Sequence, residues 1–155
     1  MQLLSLLNMN TTLTKPWELL QKLAISTLIF LVLEYIAGMW LNIYTGAVEG
    51  GAASAHVIDS PVLHIHILIS LALLIHATVM IVISAKHKVK SWLYISILSL
   101  FSILVAADQG YRFIKEESNL SSFIMAFAFI LAFCSYAYGI ILNKDKVPPS
   151  KDTEI

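Results

Sequence analysis

The chain reads as an all-α polytopic membrane protein, an antiparallel bundle of four transmembrane helices. Three observations carry that reading. The composition is 58% hydrophobic and only 13% charged, outside the usual balance of a soluble domain. The apolar residues gather into four long runs separated by short polar stretches. Nearly all the lysines fall in the stretches that share one side of a bilayer if the four runs cross it in alternation. A length of 155 residues suits one domain. It divides into a lead over 1–16, a membrane domain over 17–143 and a polar tail over 144–155.

The lead, MQLLSLLNMNTTLTK, lacks the basic start and small-residue cleavage site of a signal peptide. The first apolar run, 23–44, is long enough to cross a hydrocarbon core of ~30 Å at ~1.5 Å per residue. The second, 62–84, follows Pro61, a residue suited to the first turn of a helix. The third, 92–107, is the shortest and continues into the polar step Asp108-Gln109-Gly110. The fourth, 123–142, opens after Ser121 and Ser122, whose hydroxyls suit free helix amides. The tail, with Pro148 and Pro149 among charged residues, has the composition of a disordered segment.

Orientation follows from the basic residues. Lys15, Lys22, Lys86, Lys88, Lys90, Lys144, Lys146 and Lys151 share one side, and only Arg112 and Lys115 lie on the other. The positive-inside rule then places both termini in the cytoplasm of a multi-pass cell-membrane protein. Trp17, Trp40, Trp92, Tyr44, Tyr94 and Tyr111 lie near segment ends, where an aromatic belt is expected. The net charge is zero, so no basic field suggests nucleic acid. Cys134 is the single cysteine and cannot form an internal disulfide.

Helical spacing sorts the polar and small residues into stripes. Thr27, Glu34, Gly38, Leu41 and Thr45 share a face of the first helix, and His66, Ser70, Leu73, Ala77 and Ser84 share one of the second. Ser99, Ser102 and Ala106 do so on the third, and Ala128, Ala132, Ser135 and Gly139 on the fourth. Small residues in such rows let helices approach closely where lipid removes the hydrophobic drive for association. Packing alone accounts for the rows. Glu34 and His76 do not fit that account so easily, because a charge at the bilayer centre costs ~2.5–3.5 kcal/mol on insertion scales. Depths of roughly 15 and 20 Å from the helix ends predict that Glu34 faces inward and pairs with His76 or with a serine.

An outer polar cluster is the second candidate. His56, Asp59, His64 and His66 gather at the start of the second helix, with Asn42 and Met39 at a similar level and Asp108 and Arg112 opposite. Histidine, carboxylate and thioether together suit a transition metal or heme. His64 and His66 are ~200° apart around a helix, so only one can look inward, and His66 lies on the small-residue stripe. The first, third and fourth helices carry no histidine. A heme b at His66 would therefore take His56 from the loop, Met39 or Met125 as its other ligand, or stay five-coordinate. No Cys-x-x-Cys-His is present, so covalent c-type attachment is excluded. Nor is there a phosphate-binding glycine loop, a Ser-His-Asp arrangement or a zincin motif. The ordinary alternative is interfacial histidines bonded to headgroups and loops.

The string Glu34-Tyr35-Ile36-Ala37-Gly38-Met39-Trp40-Leu41-Asn42 resembles the opening of a largely uncharacterised group of small four-helix integral membrane proteins. His66, the Gln109-Gly110 step and Ser122-Phe123-Ile124-Met125-Ala126 are similar to features of that group, over about residues 33–138. The overall plan is also similar to four-helix b-type cytochromes and to half of a heme A synthase, although a second helix with histidine is missing. The resemblance implies the fold and no activity. Three functional expectations follow. The first is a non-catalytic accessory subunit of a membrane complex, such as a respiratory one, partnered by lipid and by other membrane subunits or copies of itself. The second is a heme b or quinone-interacting electron-transfer protein built on His66. The third is a small proton- or ion-coupled carrier using Glu34. Little of the chain lies outside lipid to build a soluble catalytic site.

Overall fold

The computed structural model describes residues 16–45, 60–116 and 119–143. Four helices occupy them: α1 (Pro16–Thr45), α2 (Pro61–Lys86), α3 (Lys90–Glu116) and α4 (Asn119–Asn143). Each contains a span long and apolar enough to cross a membrane, with mean hydropathy between 1.7 and 2.6. Only 17% to 33% of each such span is buried inside the bundle. The apolar remainder faces outward, as in a protein whose solvent is lipid.

Each helix packs on its two neighbours in a closed ring: α1 on α2, α2 on α3, α3 on α4, and α4 back on α1. The α3–α4 pair is the most extensive and α1–α4 the least. The inward residues repeat at alternating three- and four-residue steps. On α1 they are Leu20, Ala24, Thr27 and Leu31, with Ala37 further along, and on α2 Leu63, Leu73, Ala77, Met80 and Ser84. That rhythm is the left-handed bundle seam of near-antiparallel helices. Glu34 extends the α1 row, and His66 and Ser70 fill the steps between Leu63 and Leu73. The polar residues therefore occupy core positions of the repeat.

Helix ends differ from the apolar runs for local reasons. α1 begins at Pro16, ahead of the apolar run, with Glu18 in its first turn complementing the helix dipole. α2 starts after an extended Ser60 with Pro61 at its first position. Its other end closes as a Schellman motif: the Val89 amide donates to the Ser84 carbonyl at 2.8 Å, and the Lys88 amide to Ala85 at 3.2 Å. Lys88 takes the left-handed conformation, φ 56°, that this motif usually gives to glycine. Val89 then drops into the core.

α3 runs past the expected end near residue 107, through Asp108-Gln109-Gly110, to Glu116. Arg112 Nε donates to Asp108 Oδ2 at 3.1 Å, one turn away, and the Lys115 ammonium sits 4.9 Å from the Tyr111 ring centre. Such i,i+4 contacts support the extra turns without any apolar burial.

The core is densest toward the end of the bundle that carries Pro16, Lys86, Lys90 and Asn143, the terminal end. There Trp92 and Tyr136 are completely buried. The Trp92 ring lies against Gly139, whose missing side chain lets α3 and α4 close. Ser91 Oγ donates to Asn143 Oδ1 at 3.2 Å, and Asn143 Nδ2 to the Gly139 carbonyl at 2.8 Å, fixing this end. Trp92 therefore belongs to the core and not to the aromatic belt expected of it. Trp40, Tyr94 and Tyr111 remain exposed.

Candidate functional site: a serine–glutamate–histidine group between two helices

Glu34 on α1 meets two residues of α2. Ser70 Oγ donates to Glu34 Oε1, and His66 Nδ1 stands 3.1 Å from Oε2. Nδ1 and Oε2 are both sealed from solvent, and neither has an aligned hydrogen-bond partner. The contact is an electrostatic one, not an aligned hydrogen bond. The three side chains converge because 66 and 70 lie one turn apart on the seam of α2, at the level where 34 falls on the seam of α1. The imidazole rests on Gly38, one turn beyond Glu34: a methyl group there would lie 3.4 Å from His66 Cε1.

The expected pairing of Glu34 with His76 does not occur. His76 Nδ1–H donates to the Ala72 carbonyl at 2.9 Å, and its ring packs edge-on against Phe30 at 5.2 Å. His76 falls one step off the seam that runs through 73 and 77, and it lies roughly 9 Å along α2 from Ser70. Both facts keep it from the carboxylate. The partner is the serine together with a different histidine. Ser70 lies roughly 14 Å from the Pro61 end of α2 and His66 roughly 8 Å, so the group sits in the half of the bundle away from the termini.

The other candidate residues scatter. His64 is exposed, and its Nδ1–H returns to the Ser60 carbonyl at 3.0 Å. Met39 is turned outward, 38% exposed, while its neighbour Gly38 faces His66. Met125 is half-buried on α4, with its sulfur against Gly110 of α3. Asp108 and Arg112 are exposed and pair with each other. His56, Asp59 and the side chain of Asn42 lie outside the described residues. Of the thioethers suggested as partners for His66, Met125 faces a neighbouring helix and Met39 does not.

Chemically, the group is a carboxylate that orients an imidazole. With Glu34 at Nδ1, the nitrogen left for another partner is Nε2, which makes no hydrogen bond among the described residues. A carboxylate beside one ring nitrogen orients an imidazole, as it does behind metal-bound histidines. No three His, Cys, Asp or Glu residues converge among the described residues, so a metal held by side chains alone has no cage there.

Sequence reasoning passed over a second polar group. Ser84, Trp92, Ser96, Ser99 and Tyr136 are all completely buried in the terminal half. The spacing of 92, 96 and 99 along one face of α3, opposite a glycine on α4, was the available signal. Placing Trp92 in the interface hid it. No family model, curated protein or solved structure matches this chain.

Proposed function

We propose that the chain is a non-catalytic subunit of a membrane electron-transfer assembly, in which the Ser70–Glu34–His66 group presents His66 to a cofactor inside the bundle. Heme b is the cofactor that best suits a lone, carboxylate-backed imidazole in an apolar four-helix interior. The observation that carries this reading is the 3.1 Å approach of Glu34 Oε2 to His66 Nδ1, which leaves Nε2 as the ligating nitrogen. Met125, half-buried against Gly110 on the neighbouring helix, is the thioether proposed as second ligand. Glycines at 38 and 110 keep side-chain bulk away from both residues.

The test is the visible spectrum of protein purified in detergent from heme-replete cells, oxidised and then reduced with dithionite. The wild type and His64→Ala are expected to show a Soret peak and reduced α and β bands, and His66→Ala to lack them. A flat wild-type spectrum overturns the cofactor reading and leaves the group as a fastener of α1 to α2 in an accessory subunit. In that case a fixed partner that co-purifies becomes the informative finding.

The same buried carboxylate–imidazole contact favours a second reading, a small proton-coupled carrier. It predicts pH-dependent flux in proteoliposomes that disappears in Glu34→Gln, a variant that keeps the shape of the side chain.

A further inference from the structure

Hydroxyl groups inside a membrane bundle usually satisfy themselves by bonding to the carbonyl one turn back. Thr27 does so to Leu23 at 2.8 Å, Ser102 to Leu98 at 2.9 Å and Ser135 to Leu131 at 2.7 Å. Ser84, Ser96 and Ser99 do not. Their Oγ atoms, with Trp92 Nε1 and the Tyr136 hydroxyl, are sealed from solvent and lack an aligned hydrogen-bond partner. The nearest thing to a pair is Ser99 beside the Tyr136 hydroxyl.

The five groups lie in the same half of the bundle. Ser91 and Asn143 set α3 against α4 at the terminal end. From there Ser96 and Ser99 lie roughly 9 and 14 Å along α3 from Lys90, and Tyr136 roughly 10 Å along α4 from Asn143. Trp92 and Ser84 lie below them, at the base. Three helices thus contribute buried donors and hydroxyl acceptors within roughly 14 Å of the terminal end.

Leaving so many buried polar groups unsatisfied together would offset a large share of a domain's net stability. An occupant that bonds to them would remove that cost. It carries no charge, because the neighbouring cations Lys86, Lys88 and Lys90 are exposed at the rim. It is small, because Trp92 and Gly139 hold α3 and α4 in contact. It both donates and accepts, since indole N–H only donates whereas the hydroxyls do either. We propose that the terminal half of the bundle contains a site for a cluster of bound water molecules, lined by Ser84, Trp92, Ser96, Ser99 and Tyr136.

This site is separate from the Glu34 group. Ser84 and Ser70 lie roughly 21 Å apart along the same seam of α2, and Ser99, the deepest member on α3, stops roughly 10 Å short of the depth of Ser70. Leu73, Ala77 and Met80, all buried, fill the seam between them. Leu31 and Ile103 close the same level from α1 and α3. Leu31, Leu73 and Ile103 thus lie between the two groups, with the buried hydroxyls of Thr27 and Ser102 at nearby depths bonded back to their own helices.

Radiolytic hydroxyl-radical labelling of the full chain in detergent, read by mass spectrometry, tests the site, because bound water generates the radical beside the residue that traps it. Trp92 and Tyr136, although inaccessible to bulk solvent, are expected to be oxidised at rates within about tenfold of exposed Tyr111, while Leu31 and Leu73 stay unmodified. Ser99→Val, which fills the site, is expected to lower labelling of both aromatics several-fold without changing that of Tyr111. Absence of labelling at both aromatics in the folded wild type overturns the proposal, whatever the variant does. Labelling that is unchanged in a folded Ser99→Val protein also overturns it.

Discussion

Alanine at Gly139 would place a methyl group 2.8 Å from Trp92 Cζ3, 3.0 Å from Ile95 Cδ1 and 3.1 Å from Trp92 Cη2. Carbon atoms rest comfortably at about 3.5–4.0 Å, so three contacts are too short at once. The indole cannot yield, because Trp92 is 0% exposed and packed interiors leave few voids. Two effects of the substitution oppose each other. Alanine gains ~1 kcal/mol of helix propensity over glycine, and overpacking a core costs ~1–3 kcal/mol. With both indole carbons and an isoleucine methyl in the way, overpacking wins, and Gly139→Ala is expected to lose roughly 1–2 kcal/mol. Trp92→Phe removes the two indole carbons that collide. In that background Gly139→Ala should therefore cost little or become stabilising, through a coupling of about 1–2 kcal/mol. Reversible unfolding of the four proteins of this cycle in mixed detergent micelles measures it. Equal effects of Gly139→Ala in the two backgrounds would refute the argument that indole contact at Gly139 sets the approach of α3 and α4.

Other substitutions probe other parts of the account. Lys88→Gly should stabilise by about 1 kcal/mol, because a residue other than glycine in the left-handed region is strained by roughly that amount; a lower melting temperature would deny that the α2–α3 turn has this form. Glu34→Ala should cost ~1–3 kcal/mol by leaving Ser70 without its acceptor and His66 without the carboxylate beside it, whereas Ser70→Ala should cost less, since the carboxylate stays beside the imidazole; reversed ranks in thermal melts would contradict the geometry. His76→Ala should lose the bond to the Ala72 carbonyl and the Phe30 edge contact, the latter about 0.5–1.5 kcal/mol beyond the area term, and should leave any chromophore spectrum unchanged.

Much of the bundle could be read from the residues because membrane helices announce themselves by length and hydropathy, and because small and polar residues mark the seams. Glu34, His66 and Ser70 stand on those seams in the sequence itself. Their pairing was harder to read. Depths counted from the edges of the apolar runs place Glu34 and His76 together, but α1 slides against α2 according to the loop between them, which hydropathy does not describe. The seam rhythm is the better guide: 66, 70, 73 and 77 keep it and 76 breaks it. The extra turns of α3 were hidden because Asp108 and Arg112 sustain helix through a charge pair where apolar content ends. Trp92 misled for a related reason. Tryptophan near a segment end usually belongs to the interface, and only the glycine on another helix shows that this one turns inward.

The most direct test of the central claim, that Glu34 is held by His66 and not by His76, is a pair of double-mutant cycles in the same detergent, Glu34→Gln with His66→Gln and Glu34→Gln with His76→Gln. Polar contacts between membrane helices typically couple by about 0.6 kcal/mol and at most about 1.7. The account predicts coupling of that size for the first pair and additivity within about 0.3–0.5 kcal/mol for the second. Coupling between 34 and 76, with additivity between 34 and 66, would contradict it.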